Sequence, residues 1–113
     1  MFDILDAADA VSRFVAGKTL TEFENDEQLR SAVLMKLFII GEASTRVSEQ
    51  IRERYTEIPW HEIRGFRNFI AHHYFRLRWS VVWNTAIVHV AQLAAQIQEI
   101  LQNEYPGTAP EDA

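Results

Sequence analysis

The sequence predicts an all-α protein, an antiparallel up-and-down four-helix bundle carrying one short extra helical turn. Apolar residues recur at spacings of three and four over long stretches, and no long stretch alternates apolar with polar residues. Only four Gly and three Pro interrupt 113 residues, too few for a loop-rich chain.

Ile4, Ala8, Val11 and Val15 define the first helix, with Gly17 at the place of a C-terminal cap. Asn25 and Gln28 form a capping-box pattern that opens a second, long helix, with Asp26 and Glu27 at the positive end of its dipole. Val33, Leu37, Ile40, Val47 and Ile51 carry that helix to about Arg54. Thr56 to Ile58 break the pattern, and Pro59 suits the first position of a short turn bearing Trp60 and Ile63. Gly65 is expected to separate this turn from a third helix over Phe66 to Tyr74. The last helix runs from Trp79 to Glu104, its stripe formed by Val82, Ala86, Val90, Leu93, Ile97 and Leu101. Pro106, Gly107 and Pro110 end it. Residues 1–105 thus read as one domain and 106–113 as a mobile tail. Amphipathic helices joined by short loops bury their stripes together only as a bundle.

Composition narrows the function. The longest strongly apolar run, Leu37 to Ile40, is far below the roughly 20 residues that span a bilayer, so no membrane partner is expected. The acids of MFDILDAADA do not suit a signal peptide, which predicts a cytoplasmic protein. The absence of Cys excludes disulfides and thiolate metal sites. The net charge of −5 argues against nucleic acid, but the charge is unevenly spread. From Arg64 to Arg78 there are four Arg, two His and no acid, leaving seven Lys or Arg against all 16 acids elsewhere. That is either a phosphate-binding patch on an acidic body or an exposed loop that happens to be basic.

Within that segment the run RNFIAHHY, Arg67 to Tyr74, carries the candidate chemistry. Cleaving RNA without a metal needs a group that moves protons at the 2′-hydroxyl or the leaving oxygen, and a cation that stabilises charge on the phosphate. His72 and Arg67 are residues of those two types. Asn68 lies four positions before His72, so its amide could hydrogen-bond the imidazole and orient it. Arg64, His73, Arg76 and Arg78 are candidate RNA-binding residues. Arg67 and His72, five apart, are rotated by roughly 140° on an ideal helix. Either both reach a cleft at the helix end, or two subunits of a homodimer pool their residues.

The succession FIIGEAS, IPWHEIRGFRNFIAHHYF and WSVVW resembles the HepT-like toxins of the HEPN superfamily, whose signature is Arg, four residues, His, one residue, Tyr. The likeness runs from DILDAADAV to the last helix; His73 and the run RLRWS are more basic than the pattern leads one to expect. The resemblance implies a dimeric all-α bundle acting as a metal-independent endoribonuclease toxin on transfer or messenger RNA, in a type VII-like toxin-antitoxin pair. It implies an MntA-type nucleotidyltransferase as the antitoxin partner. Arg67 and His72 become the cleavage pair, Asn68 a supporting residue, and Tyr74 the hydroxyl that the antitoxin adenylylates. No cofactor is implied.

Several positions keep a plainer reading. Tyr74 could pack its ring and leave its hydroxyl at the surface. His61 and His73 suit exposed positions, and adjacent His72 and His73 project about 100° apart, a poor chelate, so no metal is assigned. Gly41, costly in a helix, permits a close helix approach or leaves room near the site. Glu42 is either a solvent-facing charge or an acid that holds the guanidinium of Arg67. Trp60, Trp79 and Trp83 read as core or interface aromatics, or, near Arg76, as a surface for an RNA base. Beside the ribonuclease stand two other functions: a non-catalytic HEPN module that partners a nucleotidyltransferase, and a purely structural helical dimer.

Overall fold

The computed structural model describes residues 1–107, and the expected tail lies outside them from residue 108 onward. The elements are α1 (Phe2–Val15), α2 (Leu20–Glu24), α3 (Glu27–Ser44), α4 (Glu49–Arg54), α5 (Trp60–His73), a 3₁₀ turn (Tyr74–Arg76), α6 (Trp79–Asn84), a π turn (Thr85–His89) and α7 (Val90–Glu104). Among the described residues there is no strand, and no helix is long and apolar enough to cross a membrane. The fold is all-α, as the periodicity requires.

The long helices pack in a row of neighbours. α5 lies on α3, α3 on α1, and α1 on α7. Ile4, Ala8 and Val11 of α1, Val33 and Leu37 of α3, and Val82, Val90, Ile97 and Ile100 from α6 and α7 fill the centre. Gly17 follows α1 with φ +72°, a conformation that an L side chain resists, and this ends the helix where the sequence placed its cap.

Four boundaries differ from the sequence reading. Asn25 does not open the second helix: it ends α2, a short helix started by a capping box between Thr19 and Glu22, and Asp26 caps α3 by accepting from the Leu29 amide. α2 forms because Phe23, fully buried, packs against Trp79 and Trp83 at centroid distances of 6.1 and 5.2 Å. Burying that ring contributes on the order of 2–3 kcal/mol, enough to hold a five-residue helix that has little stability alone. The expected long second helix is interrupted after Ser44, and Ser48 starts α4 anew by accepting from Ile51 N. Ser44 lies buried with its hydroxyl donating to Ile40 O at 2.7 Å, a back-bond that competes with helix continuation. Gly65 does not divide the turn from the third helix. α5 runs unbroken through it, with Pro59 at the N-cap and Trp60 buried behind it, its indole N–H donating to Tyr55 O at 3.1 Å. Finally, the last helix widens into the π turn at Thr85–His89, which periodicity alone does not signal.

α5 makes no packing against α7 comparable to its contact with α3. A groove of about 500 Å³ is left between them, with Leu37, Ile40 and Phe66 among its apolar lining and Glu62 and His89 among its polar residues.

Candidate functional site

The crossing of α3 and α5 positions the central guanidinium. A Cβ added to the buried Gly41 would stand 2.3 Å from Cβ of Arg67 and 2.8 Å from its Cγ, so only glycine lets the stem of Arg67 pass. Gly41 therefore permits the close approach, the first of the two roles open in the sequence. The next residue on α3, Glu42, places Oε1 at 3.1 Å from Arg67 Nε. Of the two readings of Glu42, the acid that holds the guanidinium is the one realised.

That contact is an ion pair without a well-directed hydrogen bond. Arg67 Nε is shielded from solvent yet has no acceptor in acceptable geometry. Three residues earlier on the same helix, Arg64 Nε is also shielded and also without an acceptor. Residues three apart are neighbours on a helix surface. A buried N–H donor without an acceptor carries a desolvation cost; at Arg67 the Glu42 carboxylate offsets it, and at Arg64 no ion pair does among the described residues. Arg64 is half-buried, so its guanidinium is not an open surface charge.

The rest of the signature lies at the end of α5. His72 is exposed in the last turn, and because α5 is continuous to His73 it does not share the face of Arg67. Asn68 is exposed, and no hydrogen bond joins it to His72 among the described residues, so the expected orientation of the imidazole by that amide is not formed in the single chain. His73 lies against Phe69, the two rings tilted with their centroids 5.1 Å apart. Tyr74 opens the 3₁₀ turn with its ring edge-on to Phe75 and Trp79 at 5.4 and 6.4 Å. It is 44% exposed, and its hydroxyl has no partner among the described residues. Arg76 and Arg78 are exposed and form no ion pair among the described residues. Nor do those residues include a group of three His, Asp or Glu placed to hold a metal ion.

A protein-family model described as ribonuclease HepT-like matches residues 4–100. The chain belongs to the HepT-like ribonuclease family. A relative from Caldanaerobacter subterraneus subsp. tengcongensis, bearing an RNase name, is 34% identical over 101 residues, covering 89% of this chain and 90% of its own. One from Methanocaldococcus jannaschii, also bearing an RNase name, is 31% identical over 103 residues, 91% of this chain and 85% of its own. One from Thermococcus cleftensis, named "Probable ribonuclease HepT", is 29% identical over 98 residues, 87% and 89% of the two chains. No solved structure matches the chain at a significant level.

In this HepT-like chain two features escaped sequence reasoning. The Trp near Arg76 was the aromatic considered for an RNA base, but Trp79 is half-buried, with the Arg30 guanidinium 5.0 Å from its ring centroid. The most exposed aromatic is Phe75, and its place between Tyr74 and Arg76 is the available signal. The orphaned Nε atoms of Arg64 and Arg67 have no sequence signal, because burial of one nitrogen depends on how α5 sits on its neighbours.

Proposed function

We propose that this HepT-like protein is a metal-independent endoribonuclease toxin, acting on transfer or messenger RNA and neutralised by adenylylation of Tyr74. The observation that carries the reading is the pair of half-buried guanidinium groups, Arg64 and Arg67, on the helix that bears His72 in its last turn, with Arg67 held there by Glu42. A phosphate diester would be gripped by the terminal N–H groups of these guanidiniums. In the reaction the 2′-hydroxyl loses its proton as its oxygen bonds to phosphorus, and the bond to the 5′-oxygen breaks as that oxygen gains a proton. His72 moves one of these protons, and Arg67 stabilises the charge that builds on the non-bridging oxygens. Asn68 supports the imidazole once RNA is in place.

Because Arg67 and His72 diverge on one continuous helix, the complete site takes Arg67 from one copy and His72 from a second. The exposed apolar residues Phe69, Val81 and Val88 support a homodimer. Phe69 lies one turn along α5 from the groove-lining Phe66, and Val81 and Val88 lie one turn to either side of the groove-lining Thr85. A second copy laid along this edge would cover them and set Arg67 of one copy opposite His72 of the other.

The free hydroxyl of Tyr74 supports its role as the modified group. An adenylate there adds bulk and negative charge two residues from His72 and beside Arg76, which blocks RNA by occupancy and repulsion. The partner would be an MntA-type nucleotidyltransferase.

Purified protein incubated with total RNA and a chelator is expected to yield fragments ending in 2′,3′-cyclic phosphate. Arg67→Ala and His72→Ala should each lower the rate by about 10²-fold or more. Undiminished cleavage by both variants would overturn the assignment, and intact RNA with tight nucleotidyltransferase binding would favour the non-catalytic module. With the antitoxin and ATP, adenylate mass should appear on a peptide containing Tyr74 and be absent from Tyr74→Phe.

A further inference from the structure

Phe75 is 98% exposed, the most exposed of the large apolar side chains, in a chain that otherwise buries its aromatic rings at least in part. It occupies the middle of the 3₁₀ turn that follows α5, three residues after His72, so at most about 11 Å of chain separates their Cα atoms. The Tyr74 ring stands nearly perpendicular to it at 5.4 Å. Arg76 adjoins it and Arg78 follows, both exposed and without carboxylate partners among the described residues. Trp79 cannot serve in its place, since Tyr74, Phe23 and the Arg30 guanidinium already surround it.

An exposed ring in a cationic, acid-free segment fits a ligand that offers a π-face and negative charge together. An unpaired nucleotide does so, with its base for the ring and its phosphate for the arginines. A self-complementary protein contact centred on Phe75 fits less well, because twofold symmetry would set the Arg76 and Arg78 of two copies against each other. A base inside a duplex has both faces stacked and offers none to a side chain.

We propose that Phe75 is a stacking platform for an unpaired RNA base beside the cleavage site, so that the enzyme takes single-stranded RNA and spares duplex. This rests on the ribonuclease reading above and adds the substrate class to it. The platform holds the base flanking the scissile phosphate while Arg76 and Arg78 hold the backbone, which fixes the strand relative to His72.

The test uses full-length protein carrying His72→Ala, to keep RNA intact, and a short RNA with 2-aminopurine at successive positions. One position should lose fluorescence on binding, through stacking. Adding Phe75→Ala should abolish that quenching and weaken single-strand binding about 5- to 150-fold, the effect of one stacked base. Binding of the matching duplex should change less than about twofold in the same comparison. Phe75→Trp should restore quenching and affinity, and Phe75→Leu should not. Equal single-strand affinity with Ala, equal losses for single strand and duplex, or full rescue by Leu would overturn the platform. Since the ring contributes nothing to the core, circular dichroism of the variants should match the parent. If the unmodified protein cleaves RNA while Phe75→Ala cleaves single strands at the same rate, the platform falls alone. Absence of both binding and cleavage in the unmodified protein removes the ribonuclease reading with it.

Discussion

Gly41 and Arg67 meet where α3 and α5 cross, so closely that a methyl group on the glycine would overlap the first carbons of the arginine side chain. The neighbouring Glu42 then reaches the same guanidinium. One helix crossing thus sets both the position and the charge environment of the central cation of the candidate site.

Gly41→Ala tests the crossing, because two effects of opposite sign compete. In an open helix the change would stabilise by about 1 kcal/mol. Here the new carbon meets the base of a side chain, which cannot swing away, and overpacking costs roughly 1–3 kcal/mol. Net destabilisation in urea unfolding, with reduced RNA cleavage, is expected. A gain in stability would mean that the helices do not approach so closely.

Glu42→Gln should leave unfolding nearly unchanged, within about 1 kcal/mol, since the pair is partly solvent-exposed. Cleavage should fall by roughly tenfold, as the guanidinium loses the charge that holds it. The result to be measured is the rate at saturating RNA; an unchanged or higher rate would return Glu42 to a plain surface charge.

Subunit mixing tests the shared site. Arg67→Ala and His72→Ala are each expected to be inactive alone. If Arg67 of one copy works with His72 of another, each mixed dimer keeps one intact site, and random exchange should recover about a quarter of the parental rate. No recovery, with exchange verified by mass labelling, would place both residues in one chain's site.

The clasp between α4 and the end of α7 gives a pH-dependent stability. The Arg54 guanidinium, with the Tyr55 hydroxyl donating at 2.8 Å, holds the Glu104 carboxyl below its ordinary value of 4.5. A depressed folded-state value means that the unfolded chain binds the proton first as pH falls, so stability rises with pH across that window. The melting-temperature advantage over Glu104→Gln should be constant well above pH 4.5 and shrink progressively as the pH falls to that value and below it. A gap that persists into strong acid would remove the charge from the account.

Much of the architecture was legible because burial writes itself into spacing. Ile4, Ala8 and Val11 on one helix and Val90, Leu93 and Ile97 on another are core positions that a period of 3.6 picks out directly. Where the pattern misled, local chemistry competed with it. Apolar spacing runs on through Val47 and Ile51, but the back-bond of Ser44 and the cap at Ser48 end one helix and start another. Gly65 looked like a divider, yet an exposed glycine in a helix anchored at Trp60 only weakens that helix.

Residue order alone establishes that the chain is a helical bundle, that its basic charge gathers between Arg64 and Arg78, and that Arg67, His72 and Tyr74 belong to one motif. Those are properties of residue type and spacing along one chain. Packing in three dimensions settles that Gly41 admits Arg67, that Glu42 pairs with it, that Arg64 Nε is buried without an acceptor, and that Phe75 and not Trp79 faces solvent. Each of those depends on how closely and at what rotation α5 sits on α3 and how the chain leaves its end. Neighbours brought together by packing are separated in sequence by 25 residues or more, and no local pattern records the distance between them.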